Sequence, residues 1–268
     1  MRRVARALLR SRGMLPELRL VVGEWQVVLS THAALAGVAA AVGAILAMRR
    51  ALPPSWMPAL VAGALAGSHL FHRALNGGAL DFRAGGLSSM GGMIAIAVML
   101  AAMAWRTGVR IAVLADAVAP AGLLALGIGR LGCFLAGCCF GVPTALPWGV
   151  VFPALGPPAR HPLQLYAAAV DVALALGLCG MSGPPGTVAG VAMAGLGAAR
   201  LGLELGRDPS ASDRAVAGLL SSAQAGACVL VLAGVATLVR ARRGVRHRVA
   251  LPGPDGGRQD GGRQDDGR

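Results

Sequence analysis

The sequence predicts an all-α fold: a polytopic membrane helix bundle with about seven transmembrane helices. Three observations carry that reading. Of the 268 residues, 55% are hydrophobic and only 14% are charged, about half the charge that a water-facing domain uses. The charge is gathered at residues 1–24 and 240–268, with long apolar runs between. Seven of those runs reach or approach the ~20 apolar residues that a spanning helix needs. All 25 basic residues are arginine and the net charge is +13. In so apolar a chain, arginine-rich ends point to a membrane surface, and no nucleic-acid partner is expected. The same composition excludes an ordinary cytosolic enzyme and a disordered chain.

Residues 1–24 form a basic N-terminal arm. Its opening, MRRVARALLRSRGMLPELRL, suits either a short amphipathic helix lying on the membrane or a flexible arm. The membrane domain, 25–239, contains the predicted spans 25–47, 55–75, 87–105, 111–129, 163–181, 186–203 and 215–239. The first apolar run is too long for the core of a secretion signal, which favours a retained span. Alanine, glycine and serine recur in the spans and let helices approach closely in lipid. Residues 240–268 form a tail that is first basic and then disordered, repeating Gly-Gly-Arg-Gln-Asp after Pro254. Arginines fall on both predicted sides of the membrane, so the positive-inside rule fixes no orientation.

Polar groups inside apolar runs carry the functional information, since a charge at the bilayer centre costs roughly 2.5–3.5 kcal/mol on insertion scales. Asp116, Asp171 and Arg200 lie inside predicted spans, and Arg130, Glu204 and Arg207 lie at span ends. Arg200 and Glu204 are four apart and share a helical face. Such a pair either neutralises itself within the packing or lines a functional cavity. Arg130 stands in GIGRLGCFLAGCCFG, residues 127–141, which reads as the start of a long loop closing with RHPLQLY at 160–166. Arginine among glycines suits an oxyanion site, because its planar fork donates two hydrogen bonds. Tight packing with a snorkelling arginine is the plainer account. Two arginines from different apolar segments, with few carboxylates nearby, are expected to share one cavity completed by an external anion.

The five cysteines, Cys133, Cys138, Cys139, Cys179 and Cys228, make no disulfide framework. The C-x₄-C-C spacing lacks the C-x₂-C of structural zinc sites and no second pair follows, so no metal is expected. His69 and His72 share a helical face, where polar packing is the preferred reading over metal binding.

Together these segments resemble the prolipoprotein diacylglyceryl transferase family of bacterial membrane enzymes. GRLGCFLAGCCFG at 129–141 is similar to a glycine-arginine signature segment of that family. HPLQLY at 161–166 matches its HPxQLYE motif up to the final glutamate, where this chain has Ala167. RLGLELGRDP at 200–209 resembles its R-x-x-x-E-x-x-R-x-P region. GGLSSMGGM at 85–93 resembles its S-x-H-G-G segment, with Met90 in place of the histidine. Asp116 and Gln224 also fall where the family has such residues. Leu196 replaces a family tyrosine, and Cys133 and Cys138 replace an asparagine and a glutamate.

The resemblance implies a reaction and a set of roles. Family members move a diacylglyceryl group from phosphatidylglycerol to the lipobox cysteine thiol of a prolipoprotein, releasing glycerol phosphate. No cofactor is needed. The implied catalytic residues are Arg130, which holds the phosphate, Arg200, a further cation, and His161, the remaining signature histidine. Tyr166, Glu204, Arg207, Gly91 and Gly92 are the implied substrate-binding residues, with Glu204 orienting an arginine. The implied partners are phosphatidylglycerol, the signal-peptide region of a prolipoprotein, and membrane lipid. The implied location is the bacterial plasma (inner) membrane, with the N-terminus outside and the C-terminus cytoplasmic. The alternative is a non-catalytic or repurposed phospholipid-binding membrane protein of the same fold, since Met90 cannot accept a proton.

Overall fold

The computed structural model describes residues 17–22, 25–49, 52–76, 88–211, 215–216 and 220–250. Among them are seven α-helices: α1 Thr31–Arg49, α2 Met57–Asn76, α3 Ser89–Thr107, α4 Ile111–Ala136, α5 Leu163–Cys179, α6 Thr187–Glu204 and α7 Ser222–Ala250. Two small antiparallel hairpins accompany them, β1 (Glu17–Val22) with β2 (Trp25–Ser30), and β3 (Ala215–Val216) with β4 (Leu220–Ser221). The protein is an all-α membrane bundle. Helices α3, α4 and the Ser222–Arg243 part of α7 are long and apolar enough to cross a membrane, and Ala34–Ala47 and Leu163–Cys179 are shorter apolar helices. Helix α2 carries His69, His72 and Arg73, and α6 carries Arg200 and Glu204, which dilutes the hydropathy of both.

The boundaries differ from the predicted spans in four places, one being the last span, expected from residue 215, where residues 215–216 pair with 220–221 and α7 begins only at Ser222. The first span was expected from residue 25, but residues 25–30 pair with 17–22, Glu17 opposite Ser30 and Val22 opposite Trp25. ELRLVV and WQVVLS are rich in residues that favour strands, so α1 starts only at Thr31. The basic arm before Glu17 lies outside the described residues. The segment 127–136 was expected to open a loop, yet it completes α4. In a membrane every backbone N–H needs a partner, so the helix persists through its glycines until Gly137 turns left-handed at φ +69°. The last helix passes residue 239 and runs through the arginine-rich stretch to Ala250; residues 251–268 lie outside the described residues.

Helix α4 is the centre of the bundle and packs against α1, α5 and α6. Small residues set the closest approaches. A side chain at Gly197 of α6 would lie 2.7 Å from the Ala227 carbonyl oxygen of α7, so that helix pair depends on its absence. Two buried clusters form the interior, one around Leu60, Leu100, Met103 and Leu114, the other around Leu123, Leu178, Val188 and Leu196. Apolar residues such as Val98 and Leu232 remain outward-facing, as a lipid environment allows.

One polar contact fixes α4 to α6. Both carboxylate oxygens of Asp116 accept backbone hydrogen bonds at 2.7 Å, from the N–H groups of Gly186 and Ala189. Those donors belong to the N-terminal turn of α6, which has no helical acceptors of its own. Asp116 thus caps a neighbouring helix, and its negative charge suits the positive end of the helix dipole.

Candidate functional site

Arg130 on the last turns of α4 and Arg200 on the last turns of α6 come within electrostatic reach of each other. Asp171 of α5, Cys133 and Cys139 interact with the same Arg200 guanidinium. Among the described residues, Nη2 of Arg200 is shut off from solvent and has no hydrogen-bond partner, and neither has Oδ2 of Asp171, a residue only 3% exposed. The cluster therefore holds two guanidinium groups to one carboxylate, with hydrogen-bonding capacity left unused. Two apolar grooves lie elsewhere. One, of about 300 Å³, is lined by Leu70, Phe71, Gly91 and Ile94 among others. The second is lined by Leu46, Leu124, Leu176 and neighbours.

Glu204 does not make its expected pair with Arg200. Its Oε2 accepts from Arg207 Nη1 at 3.0 Å, and its Oε1 accepts from the Ser221 hydroxyl at 3.0 Å. The reason is the end of α6: the chain turns after Glu204 and brings Arg207 back over the helix terminus. Ser221 is itself part of a reciprocal cap on α7. Its hydroxyl accepts from the Gln224 N–H at 3.1 Å, and the Gln224 side-chain oxygen accepts from the Ser221 N–H at 3.0 Å. The matched Gln224 thus helps to start α7 and indirectly positions Glu204.

Residues 137–162 and 205–208 form a backbone-paired cap beside the ends of α4 and α6. The Gly141 N–H donates to the His161 carbonyl at 2.9 Å, the His161 N–H to the Val142 carbonyl at 3.1 Å, and the Val142 N–H to the Gly206 carbonyl at 3.0 Å. Gly141 is required for this approach, since a Cβ there would lie 2.7 Å from His161 Cβ and 2.9 Å from the Gly206 oxygen. His161 and Tyr166 come together: the tyrosine hydroxyl lies 3.3 Å from His161 Nδ1 and accepts from the Trp148 indole at 2.7 Å. A phenol oxygen has a second acceptor site, so it can also take a hydrogen bond from His161 Nδ1–H, the tautomer that leaves Nε2 unprotonated. The sequence motifs contain no hint of Trp148, which lies outside every signature.

Arg160 forms an ion pair with Asp208 and stacks over Phe140, its guanidinium carbon 5.2 Å from the ring centre. The hydroxyl and N–H of Ser210 donate to Asp208 at 2.5 and 2.9 Å. These bonds, with Arg160, hold the Asp208 carboxyl below the usual carboxylate range. Arg160 and Asp208 lie within the quoted segments RHPLQLY and RLGLELGRDP, and their pairing could have been sought there as opposite charges in two signature segments.

Gly91 and Gly92, expected at the substrate, pack against α2. A side chain at 91 would collide with the Gly67 carbonyl, and one at 92 would lie 2.6 Å from Ser68 Oγ. Met90 points at Gly226 of α7, where its terminal methyl fills the space of the missing side chain. The three sulfur atoms of Cys133, Cys138 and Cys139 lie within 4.8 Å of one another. Hydrogen bonding to Cys133 and Cys139 pushes the Cys138 thiol above the ordinary thiol range.

The fold and site define a polytopic helical membrane protein with a buried cationic centre between helix ends. The chain belongs to the prolipoprotein diacylglyceryl transferase family, whose family model matches residues 33–240. It is 34% identical over 158 residues to the phosphatidylglycerol–prolipoprotein diacylglyceryl transferase of Vibrio vulnificus strain YJ016, covering 58% of each chain. Identity to the enzyme of that name from Shewanella oneidensis is 36% over 160 residues, 58% of this chain and 60% of the relative. For Agrobacterium fabrum it is 34% over 175 residues, 61% of each. The match thus spans about three-fifths of the length of these curated relatives.

Proposed function

We propose that this protein transfers a diacylglyceryl group from phosphatidylglycerol to the lipobox cysteine thiol of prolipoproteins, in the bacterial inner membrane with its C-terminal segment cytoplasmic. The observation that carries this is that Arg130, Arg200 and Asp171 act on one another at the helix ends, with Arg200 donor capacity unspent among the described residues. Like charges brought together in a membrane interior repel, so the arrangement calls for an anionic ligand, and a lipid phosphate fits the forked donors. The thiolate sulfur attacks the glyceryl carbon that bears the phosphoester. A C–S bond forms, the C–O bond breaks, and the electron pair leaves with glycerol phosphate, whose charge the arginines stabilise.

In this reading Glu204 and Ser221 hold Arg207 and the start of α7 around the headgroup. Tyr166 orients His161, whose other nitrogen takes the thiol proton. Gly91 and Gly92 act by letting α2 and α3 close on each other beside the apolar groove. The names of the relatives support the substrates. The test is reconstitution: purified protein in phosphatidylglycerol vesicles with a lipobox cysteine peptide should yield the thioether-linked diacylglyceryl peptide and glycerol phosphate in equal amounts. Met90 favours a second reading, a phospholipid-binding protein without the reaction, which predicts headgroup binding and no thioether.

A further inference from the structure

We infer that Cys133, Cys138 and Cys139 form a site for a zinc-class divalent cation beside the arginine pair, whose open fourth position takes the thiol to be alkylated. The identity of that thiol rests on the transferase reading; the cation site stands on the geometry of the cluster.

The spacing C-x₄-C-C argued against a metal because it lacks the usual knuckle. The fold supplies a different turn. The left-handed Gly137 ends α4, the Cys138 N–H donates to the Cys133 carbonyl at 3.1 Å, and Cys139 is itself left-handed at φ 60°. A non-glycine residue in that region is uncommon and strained, and here it accompanies the turn that gathers the adjacent cysteines over Cys133. The Cys138 carbonyl is held from outside by the side-chain amide of Gln164, a residue 1% exposed. All three sulfurs end within 4.8 Å of one another. Thiolates around a tetrahedral zinc, each about 2.3 Å from the metal, sit about 3.8 Å apart, so a contraction of about an ångström completes the coordination.

Ligand number and charge point the same way. Four protein ligands mark a structural zinc site, whereas three leave a position for water or substrate. Three thiolates and a divalent cation leave one net negative charge, and a fourth thiolate leaves two. Arg130 and Arg200 both act electrostatically on Cys133, so the negative charge of the loaded site falls beside positive charge instead of in bare lipid.

The chemistry fills a gap in this chain. Met90 cannot take a proton, whereas a coordinated thiol loses its proton outright. The incoming thiol binds at the fourth position and releases one proton to water or His161. Its sulfur then attacks the glyceryl carbon, the C–O bond breaks, and glycerol phosphate leaves with the bonding pair. The thioether product is neutral, a poorer ligand, and departs.

The experiment uses the full-length protein in detergent, loaded with cobalt(II) as a spectroscopic substitute and with zinc(II) for metal analysis. One metal per chain and a thiolate-to-cobalt charge-transfer band are expected. Cys133→Ser, and separately the milder Cys138→Ser at an exposed position, should weaken binding at least about tenfold, while Cys228→Ser should not. A lipobox cysteine peptide should alter the cobalt spectrum and its serine counterpart should not. Absence of the thiolate band, or a band indifferent to the cysteine peptide, overturns the inference. Undiminished transfer by metal-free or Cys133→Ser protein overturns it while leaving the transferase reading intact. A peptide-sensitive cobalt site without any transfer supports the site and sinks the transferase reading.

Discussion

The terminal methyl of Met90, on the first turn of α3, occupies the volume that a side chain at Gly226 of α7 would need. Contact between the two helices at this height therefore requires a glycine opposite a long, flexible side chain. Gly226→Ala should destabilise the protein by about 1–3 kcal/mol, the usual cost of overpacking. Met90→Ala in the same chain should restore much of that loss. Thermal unfolding in detergent of the single and double variants measures the coupling; additive losses would contradict it.

Activity gives a second reading of the same position. A positioned base contributes typically 10²–10⁴-fold, so Met90→His should raise the rate of thioether formation above that of the parent protein. His161→Ala should lower whatever rate the parent shows. A parent rate unchanged by His161→Ala would remove His161 from the mechanism.

Arg130→Lys keeps the charge and loses the fork. Binding of phosphatidylglycerol should weaken roughly tenfold, measured by titration of vesicles with a neutral lipid as reference. Equal binding by both proteins would mean that Arg130 does not hold the phosphate.

Acid should loosen the cap over the site. Asp208 has a folded-state pKa below its unfolded value, so its contribution is fully present above the unfolded value, near 3.9. That contribution is lost as pH falls through the folded value. Asp208→Asn should lower stability at neutral pH and flatten this acid limb. The comparison is a pair of melting-temperature profiles from pH 7 downward, and parallel profiles would count against the ion pair with Arg160.

Asp116→Ala removes two hydrogen bonds from a carboxylate to the first turn of α6. A loss of about 2 kcal/mol is expected, with Asp116→Asn intermediate because an amide oxygen can serve only part of the role. Unfolding midpoints of the three proteins should fall in that order.

Much of the bundle was legible because about 20 apolar residues in a row have few alternatives. The hairpin at 17–30 was not, since counting apolar residues cannot separate a strand from the start of a helix. The end of α4 was hidden by glycines and cysteines that read as loop, although lipid favours their helical form. Arg130 and Arg200 stood out because charge in an apolar run is costly. The Arg207–Glu204 pair did not, because helical periodicity says nothing of a chain that turns back beyond its own helix. The cysteine cluster was hardest to foresee: it depends on a left-handed backbone at Cys139 that no spacing rule encodes.

Fourteen residues separate Asp116 from Arg130 along α4, and fourteen separate Gly186 from Arg200 along α6. The hydrogen bond between Asp116 and Gly186 therefore sets a common zero for two rulers of equal length, each about 21 Å at 1.5 Å per residue. Measured from that zero, both arginines arrive at one level along the paired helices. A carboxylate at the far end of the helices thereby acts as the gauge mark for the arginine pair, and a single residue inserted anywhere along either ruler would put the two arginines out of level.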